Sequence, residues 1–296
     1  MVAAPPLAEL VLNSLLLGGI YALTSLGFSI VFRVVGILNL AHGDLVMVSG
    51  LFAYLVFTSD LMPFTIRLLF VVLLIPLFAA LGLAFERVLI RPLLRKPPNE
   101  ALLSSVLVTL GFSLVLQDVW ANSFGTLQKS ITSESLGLPI ITVAGLTIAS
   151  SRLLALLFIV IASILLFVFV RKSYVGKAMR AISQDREAAI FLGVNLPNTS
   201  MITFGLGTSL AAVGGILLVI IQSVAPFSGL PLTVKALAVI VLGGTGSMIG
   251  PLIGGIALGS AETLSAFFID PYWSPGIAVI ILVAVLLLRP TGLVRR

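Results

Sequence analysis

Uninterrupted apolar runs recur along almost the whole chain, and they constrain its fold more than any other feature. Leu153 to Val170 and Met201 to Ile221 contain no charged residue. Runs of that length cross hydrocarbon as helices. Inside a bilayer each backbone N–H and C=O must be paired within the protein, which excludes open sheets. The surrounding composition agrees. With 59% hydrophobic and 9% charged residues and a mean hydropathy of +1.23, 296 residues could not cover a water-soluble core. The expectation is an all-α, polytopic integral membrane protein, a single transmembrane domain over 1–296. The stretch MVAAPPLAEL has no basic region before its apolar run, so it is expected to stay rather than be cleaved as a signal peptide.

Taken in order, the expected spans are Leu10–Phe32, Leu45–Phe57, Leu68–Phe85, a span from Ala101 to near Trp120, Leu153–Val170, Met201–Ile221, Leu252–Phe268 and Gly276–Leu288. That makes eight helices, or nine if the interrupted segment 235–268 counts as two. Two segments look broken or re-entrant. Residues 33–44 (RVVGILNLAHGD) are too short and too apolar for a loop, and 243–251 carry the glycine-rich GGTGSMIGP. Irregular backbone at membrane depth survives only where it is packed in protein or lines a cavity. Asp44 is expected to cap the helix that follows the first break.

Of the seventeen basic residues, thirteen lie near 33, in 87–96, in 171–186 and in 289–296. Basic residues collect on the cytoplasmic side, so these segments are expected inside, with the N-terminus outside and the C-terminus cytoplasmic. Trp120, Tyr272 and Trp273 then fall at the outer interface. The net charge of +6 reflects this distribution and gives no reason to expect nucleic acid as a partner. The chain has no cysteine, which excludes disulfides, thiolate metal sites and a cysteine nucleophile. A single histidine and scattered carboxylates offer no metal site or nucleophile–base pair, so a membrane-embedded enzyme is disfavoured.

One polar island breaks the apolar pattern: Arg171 to Ser200, RKSYVGKAMRAISQDREAAIFLGVNLPNTS. Val175 to Leu192 can form one helix, which Gly193 would end. Asp185 and Glu187 neighbour Arg180 and Arg186, which suggests surface charge pairs. Ala178, Ala181, Ala188 and Ala189 would let a partner approach closely, and a solvated connecting loop is the alternative. Gly176-Lys177 is followed by Ala178, which fails the phosphate-binding pattern, so ATP hydrolysis is not expected on this chain.

Four further polar residues sit within or beside spans and are candidates for a translocation pathway: Asn39, His42, Asp44 and Glu262. His42 and Asp44 could share a hydrogen bond. Alternatively Asn39 and Asp44 satisfy backbone groups at helix ends while Gly43 permits the turn. Glu262, in the middle of an apolar run, must face a cavity or pair with another helix. The segment 122–151 is long enough to meet an external binding protein, or is simply a connection.

Glu187-Ala188-Ala189 followed three residues later by Gly193 resembles the EAA-type coupling loop of ABC importer permeases, and GKAMRAISQDREAA resembles the form that loop takes in permeases for branched-chain amino acids. Leu196-Pro197 comes earlier here than in the family-wide motif. Residues 15–50, with Asn39-Leu40-Ala41-His42-Gly43-Asp44 at their core, and 242–259, LGGTGSMIGPLIGGIALG, are similar to the smaller of the two paired permeases of high-affinity branched-chain amino acid importers. The resemblance implies a coupling loop over about 171–200 whose contacts to an ATPase involve Gly176, Arg180, Ala181, Asp185, Glu187, Ala188, Ala189 and Gly193. It also implies as partners a second related permease, two cytoplasmic ATPase subunits that bind ATP and Mg, and a periplasmic or extracellular substrate-binding protein. No cofactor would be bound by this chain, and it would reside in a bacterial inner membrane. Relatives of other specificity carry urea or small organic acids. A rival from another class is an ion-coupled secondary transporter using His42, Asp44 and Glu262 as a relay.

Overall fold

A computed structural model describes residues 7–59, 63–133, 135–143, 146–244, 249–288 and 293. Six helices are long and apolar enough to cross a membrane. These are α1 (Leu7–Val35), α3 (Phe64–Phe85, continued by a π turn over Glu86–Ile90), α4 (Pro98–Phe124), α5 (Ser150–Lys172), α8 (Leu196–Ile221) and α10 (Gly250–Phe268). Shorter apolar helices are α2 (His42–Thr58), α9 (Gly229–Gly243) and α11 (Ser274–Leu288). The segment 235–268 therefore forms two helices, as the nine-helix reading requires. The polar island forms α6 (Tyr174–Gln184) and α7 (Arg186–Phe191). Among the described residues the strands form a hairpin, β1 (Ile140–Val143) antiparallel to β2 (Leu146–Ala149), with Ile140 opposite Ala149.

α1, about 43 Å long at 1.5 Å per residue, is the buried axis of the bundle. Lipid tails are as apolar as leucine, so hydrophobicity cannot drive helix association here, and close backbone approach takes its place. α1 meets α10 where a side chain on Gly18 would strike the backbone of Gly255 and Ile256. It meets α8 where Gly27 lies against Gly207. α2 meets α8 through Gly50 and Gly215. By contrast α3, α4 and α5 turn Leu69, Leu103 and Leu165 outward. Leucines that no other part of the chain covers, on helices this apolar, face lipid.

The first break is shorter than expected, with helix ending at Val35 and restarting at His42. Gly36 takes a φ of 78°, the left-handed conformation that ends α1. The chain then turns back into the bundle. His42 Nε2 lies 2.9 Å from the carbonyl of Thr24, well inside α1. The polar backbone of the break is satisfied by neighbours. Leu40 N–H donates to Thr109 Oγ1 of α4 at 3.0 Å. Thr233 Oγ1 of α9 accepts from Gly43 N–H at 2.8 Å and donates to the Leu40 carbonyl at 2.9 Å. The break is thus packed in protein. At the second break Gly244 again has positive φ, and 245–248 lie outside the described residues.

Candidate functional site

The polar island does not form one helix. It breaks at Asp185, whose backbone is extended (φ −151°, ψ 109°), because the Asp185 carboxylate accepts the Ala188 N–H at 3.0 Å and starts a new helix. Short polar side chains compete in this way with the helix they would otherwise continue. Ser173 caps α6 through the Gly176 N–H at 2.9 Å, and Asn195 caps α8 through Asn198 N–H at 3.1 Å. Gly193, with φ of 87°, ends α7 as expected, and Val194 N–H donates to the Ala189 carbonyl at 3.0 Å. The expected charge pairs are not formed: neither Asp185 nor Glu187 pairs with Arg180 or Arg186 among the described residues. Arg180 instead donates to the carbonyl of Arg171 at 3.2 Å, fastening α6 to the end of α5.

The alanines do not share a face. Ala189 is buried with Gly176, Met179 and Ile182, and these hold the two short helices against the bundle. Ala178 and Ala181 are half-buried, and Ala188 and Glu187 are exposed. The most exposed large apolar side chains here are Phe191 (89%) and Leu192 (85%), beside a half-exposed Ile190. Sequence reasoning missed this knob, although the run Ile190-Phe191-Leu192 directly before Gly193 is its signal. The side chains sit among charged residues rather than on a lipid-facing helix, and an exposed apolar cluster in such a setting marks an interaction surface.

At the base of this loop lies a second group that sequence reasoning passed over. Glu86 is fully buried in the π turn after α3. Its Oε1 accepts from Ser200 Oγ at 3.0 Å, and its Oε2 lies 3.3 Å from Arg91 Nη2. Arg91 also donates to the carbonyl of Pro197 at 3.3 Å. The end of α3 is therefore tied to the start of α8, where the polar island re-enters the bundle.

The four pathway candidates are not one cluster. Asn39 behaves as a backbone cap, its Oδ1 accepting from Ala41 N–H at 3.2 Å. Asp44 does not cap α2 and does not meet His42. It lies inside the first turn, fully buried, and its Oδ1 accepts from Gln117 Nε2 of α4 at 2.8 Å. Gly43 is not needed for a turn, since any side chain there would strike the backbone of Gly229 and Thr233. His42 and Asp44 thus hold α2 against α1 and α4, while the contact with α9 runs through Gly43 and Thr233. Trp120 is buried against Phe52 (ring centroids 4.9 Å apart), whereas Tyr272 and Trp273 are exposed.

Glu262 satisfies both of its expected alternatives. Its Oε1 accepts from Lys235 Nζ of α9 at 2.6 Å, and its Oε2 accepts from Tyr21 Oη of α1 at 2.8 Å. Lys235 also donates to Tyr21 Oη at 2.8 Å, closing a three-membered ring that joins α1, α9 and α10. Glu262 further lines a cavity of about 410 Å³ with Asn13, Arg152 and Gln222. Lys235 is the partner that spacing within one helix could not indicate.

Residues 10–287 match the model of a family described as branched-chain amino acid transport system / permease component. The chain is similar to the high-affinity branched-chain amino acid transport system permease protein LivH of Escherichia coli (strain K12), 31% identical over 96% of this chain and 94% of that protein. It is equally similar to the corresponding permease protein BraD of Pseudomonas aeruginosa, 31% identical over 96% of this chain and 94% of that protein.

Proposed function

The chain belongs to the branched-chain amino acid transport system permease family, and from that premise we propose that it is the membrane subunit through which an ABC importer moves branched-chain or other hydrophobic amino acids. The observation that carries the mechanism is the Ile190-Phe191-Leu192 knob, presented by a short helix capped at Asp185 and closed at Gly193. ATP and Mg bind to two partner ATPase subunits on the cytoplasmic side, and the knob seats in them. Their closure pushes α6 and α7. These are fastened to α5 by Arg180, and the chain beyond them is tied to α3 by Arg91, so the push reaches the helices as a rigid displacement. A second related permease completes the passage, and an external binding protein delivers the substrate. In this reading the N-terminus is outside, the C-terminus is cytoplasmic and the membrane is a bacterial inner membrane.

A secondary-transport relay has no support in the geometry. His42 faces a backbone carbonyl, Asp44 faces Gln117, and Glu262 faces Lys235 and Tyr21, so the three do not form a chain.

The test is Phe191→Ala with Leu192→Ala in the purified complex. Truncating buried aromatic and aliphatic anchors costs about 2 kcal/mol or more of binding, or a loss of at least about thirtyfold in affinity for the ATPase subunits. Uptake should collapse while the chain still inserts. Unchanged uptake and unchanged co-purification would remove the knob from the coupling interface.

A further inference from the structure

The cavity beside Glu262 is lined from five helices, Ser274 coming from α11. Leu10, Asn13 and Leu17 come from α1, Arg152 from α5, Ile221 from α8 and Glu262 and Phe267 from α10. Its volume of about 410 Å³ lies in the range of small-molecule sites, ~300–1,000 Å³. Its wall is mixed: Leu10, Leu17, Ile221 and Phe267 are apolar, and Arg152 and Glu262 carry charge.

The two charges are provided for differently. Glu262 is already compensated by Lys235 and Tyr21, one on each oxygen. A carboxylate has about four lone-pair sites, so a further donor can still be accepted from the cavity side. Arg152 donates to the neutral Asn13 Oδ1 at 3.0 Å, and among the described residues no carboxylate pairs with it. A guanidinium bonded only to an amide oxygen retains donors suited to a planar carboxylate. The cavity wall thus carries a carboxylate acceptor, a guanidinium bonded among the described residues only to an amide oxygen, and apolar side chains, the three kinds of group that a small zwitterionic apolar solute would meet.

We propose that this cavity is a substrate subsite that receives a zwitterionic, apolar amino acid, with Arg152 meeting its α-carboxylate, Glu262 meeting its α-ammonium, and Leu10, Leu17 and Phe267 accommodating its side chain. The assignment rests on the importer reading for its substrate class. It adds a site on this chain that recognises both charges of the backbone and is indifferent to the shape of the aliphatic group.

The experiment uses a diazirine-bearing leucine analogue on the purified chain, with the subunits that accompany it, in nanodiscs. Peptides covering Leu10–Leu17 and Glu262–Phe267 should be photolabelled, and unlabelled leucine should chase the label. Leucinamide, which lacks the carboxylate, and 4-methylpentanoate, which lacks the ammonium, should each compete about tenfold less well, as expected for one lost charge-assisted contact. Arg152→Gln should reduce the label by a similar factor and Arg152→Lys should retain most of it, with chain recovery unchanged in both. Label absent from these peptides, or equal competition by all three compounds, would overturn the subsite. So would label that appears only when phosphatidylethanolamine is replaced by phosphatidylglycerol and that leucine does not chase, since the occupant would then be a lipid headgroup. ATP-driven uptake with an unlabelled cavity overturns the subsite alone. ATP-independent uptake with a chased label overturns the importer reading alone.

Discussion

At the residue scale, the outcome for Glu262 shows how an isolated buried charge is resolved. An unpaired carboxylate mid-helix would cost several kcal/mol, and the ring of Lys235, Tyr21 and Glu262 removes that cost while joining three helices. Glu262→Gln should therefore destabilise the chain by about 3 kcal/mol, because it leaves Lys235 charged and largely buried without its counter-ion. Adding Lys235→Met should recover much of that loss, since it removes the buried charge that was left without a counter-ion. Thermal midpoints of the natural chain and the two variants in detergent check this. If the single and double variants melt alike, the pair is not what stabilises the contact. That Glu262 needed a partner was legible from its position in an apolar run. The identity of the partner was not, because Lys235 lies 27 residues away on a different helix.

At the element scale, the broken segment after α1 is held by side chains that sequence gives no reason to associate with it. Thr233 alone serves a donor and an acceptor of the break, through Gly43 N–H and the Leu40 carbonyl. Thr233→Val keeps the shape and removes both bonds, so it should cost about 1–3 kcal/mol for the backbone groups left unsatisfied. The loss should appear as faster hydrogen exchange confined to residues 40–43, and protection equal to the natural chain would show that another group supports the break. The polar island is the converse case. Its closing turn was readable from Gly193, but its division at Asp185 and the immediate restart of helix at Leu196, with Pro197 in the first turn, were not. Val175 to Leu192 satisfies helix periodicity throughout, and only the competition between the Asp185 side chain and the helix backbone decides where it splits.

At the scale of the whole molecule, the absence of cysteine makes topology directly measurable. Lys177 and Asp270 are both exposed and belong to segments expected on opposite faces. In right-side-out vesicles, Asp270→Cys should react with an impermeant maleimide and Lys177→Cys should react only after the membrane is opened. The reverse pattern would invert the proposed orientation and place the Phe191 knob on the face where no ATPase is found.

The sequence by itself determined that the chain spans a membrane as helices and roughly where its spans, its first break and its polar island fall. These follow from local hydropathy, from the length needed to cross hydrocarbon and from the conformational preferences of single residues, all of which are read along the chain. It was also enough to mark Asn39, His42, Asp44 and Glu262 as polar groups that need an account. Only the tertiary structure decided which of them meet. It assigned Asp44 to Gln117, His42 to the Thr24 carbonyl and Glu262 to Lys235 and Tyr21, and it brought Arg152 and Glu262 into the wall of one cavity. The physical reason is that partners between helices depend on how glycines such as Gly18, Gly27 and Gly50 let those helices approach and at what rotation. No pattern within one helix carries that information.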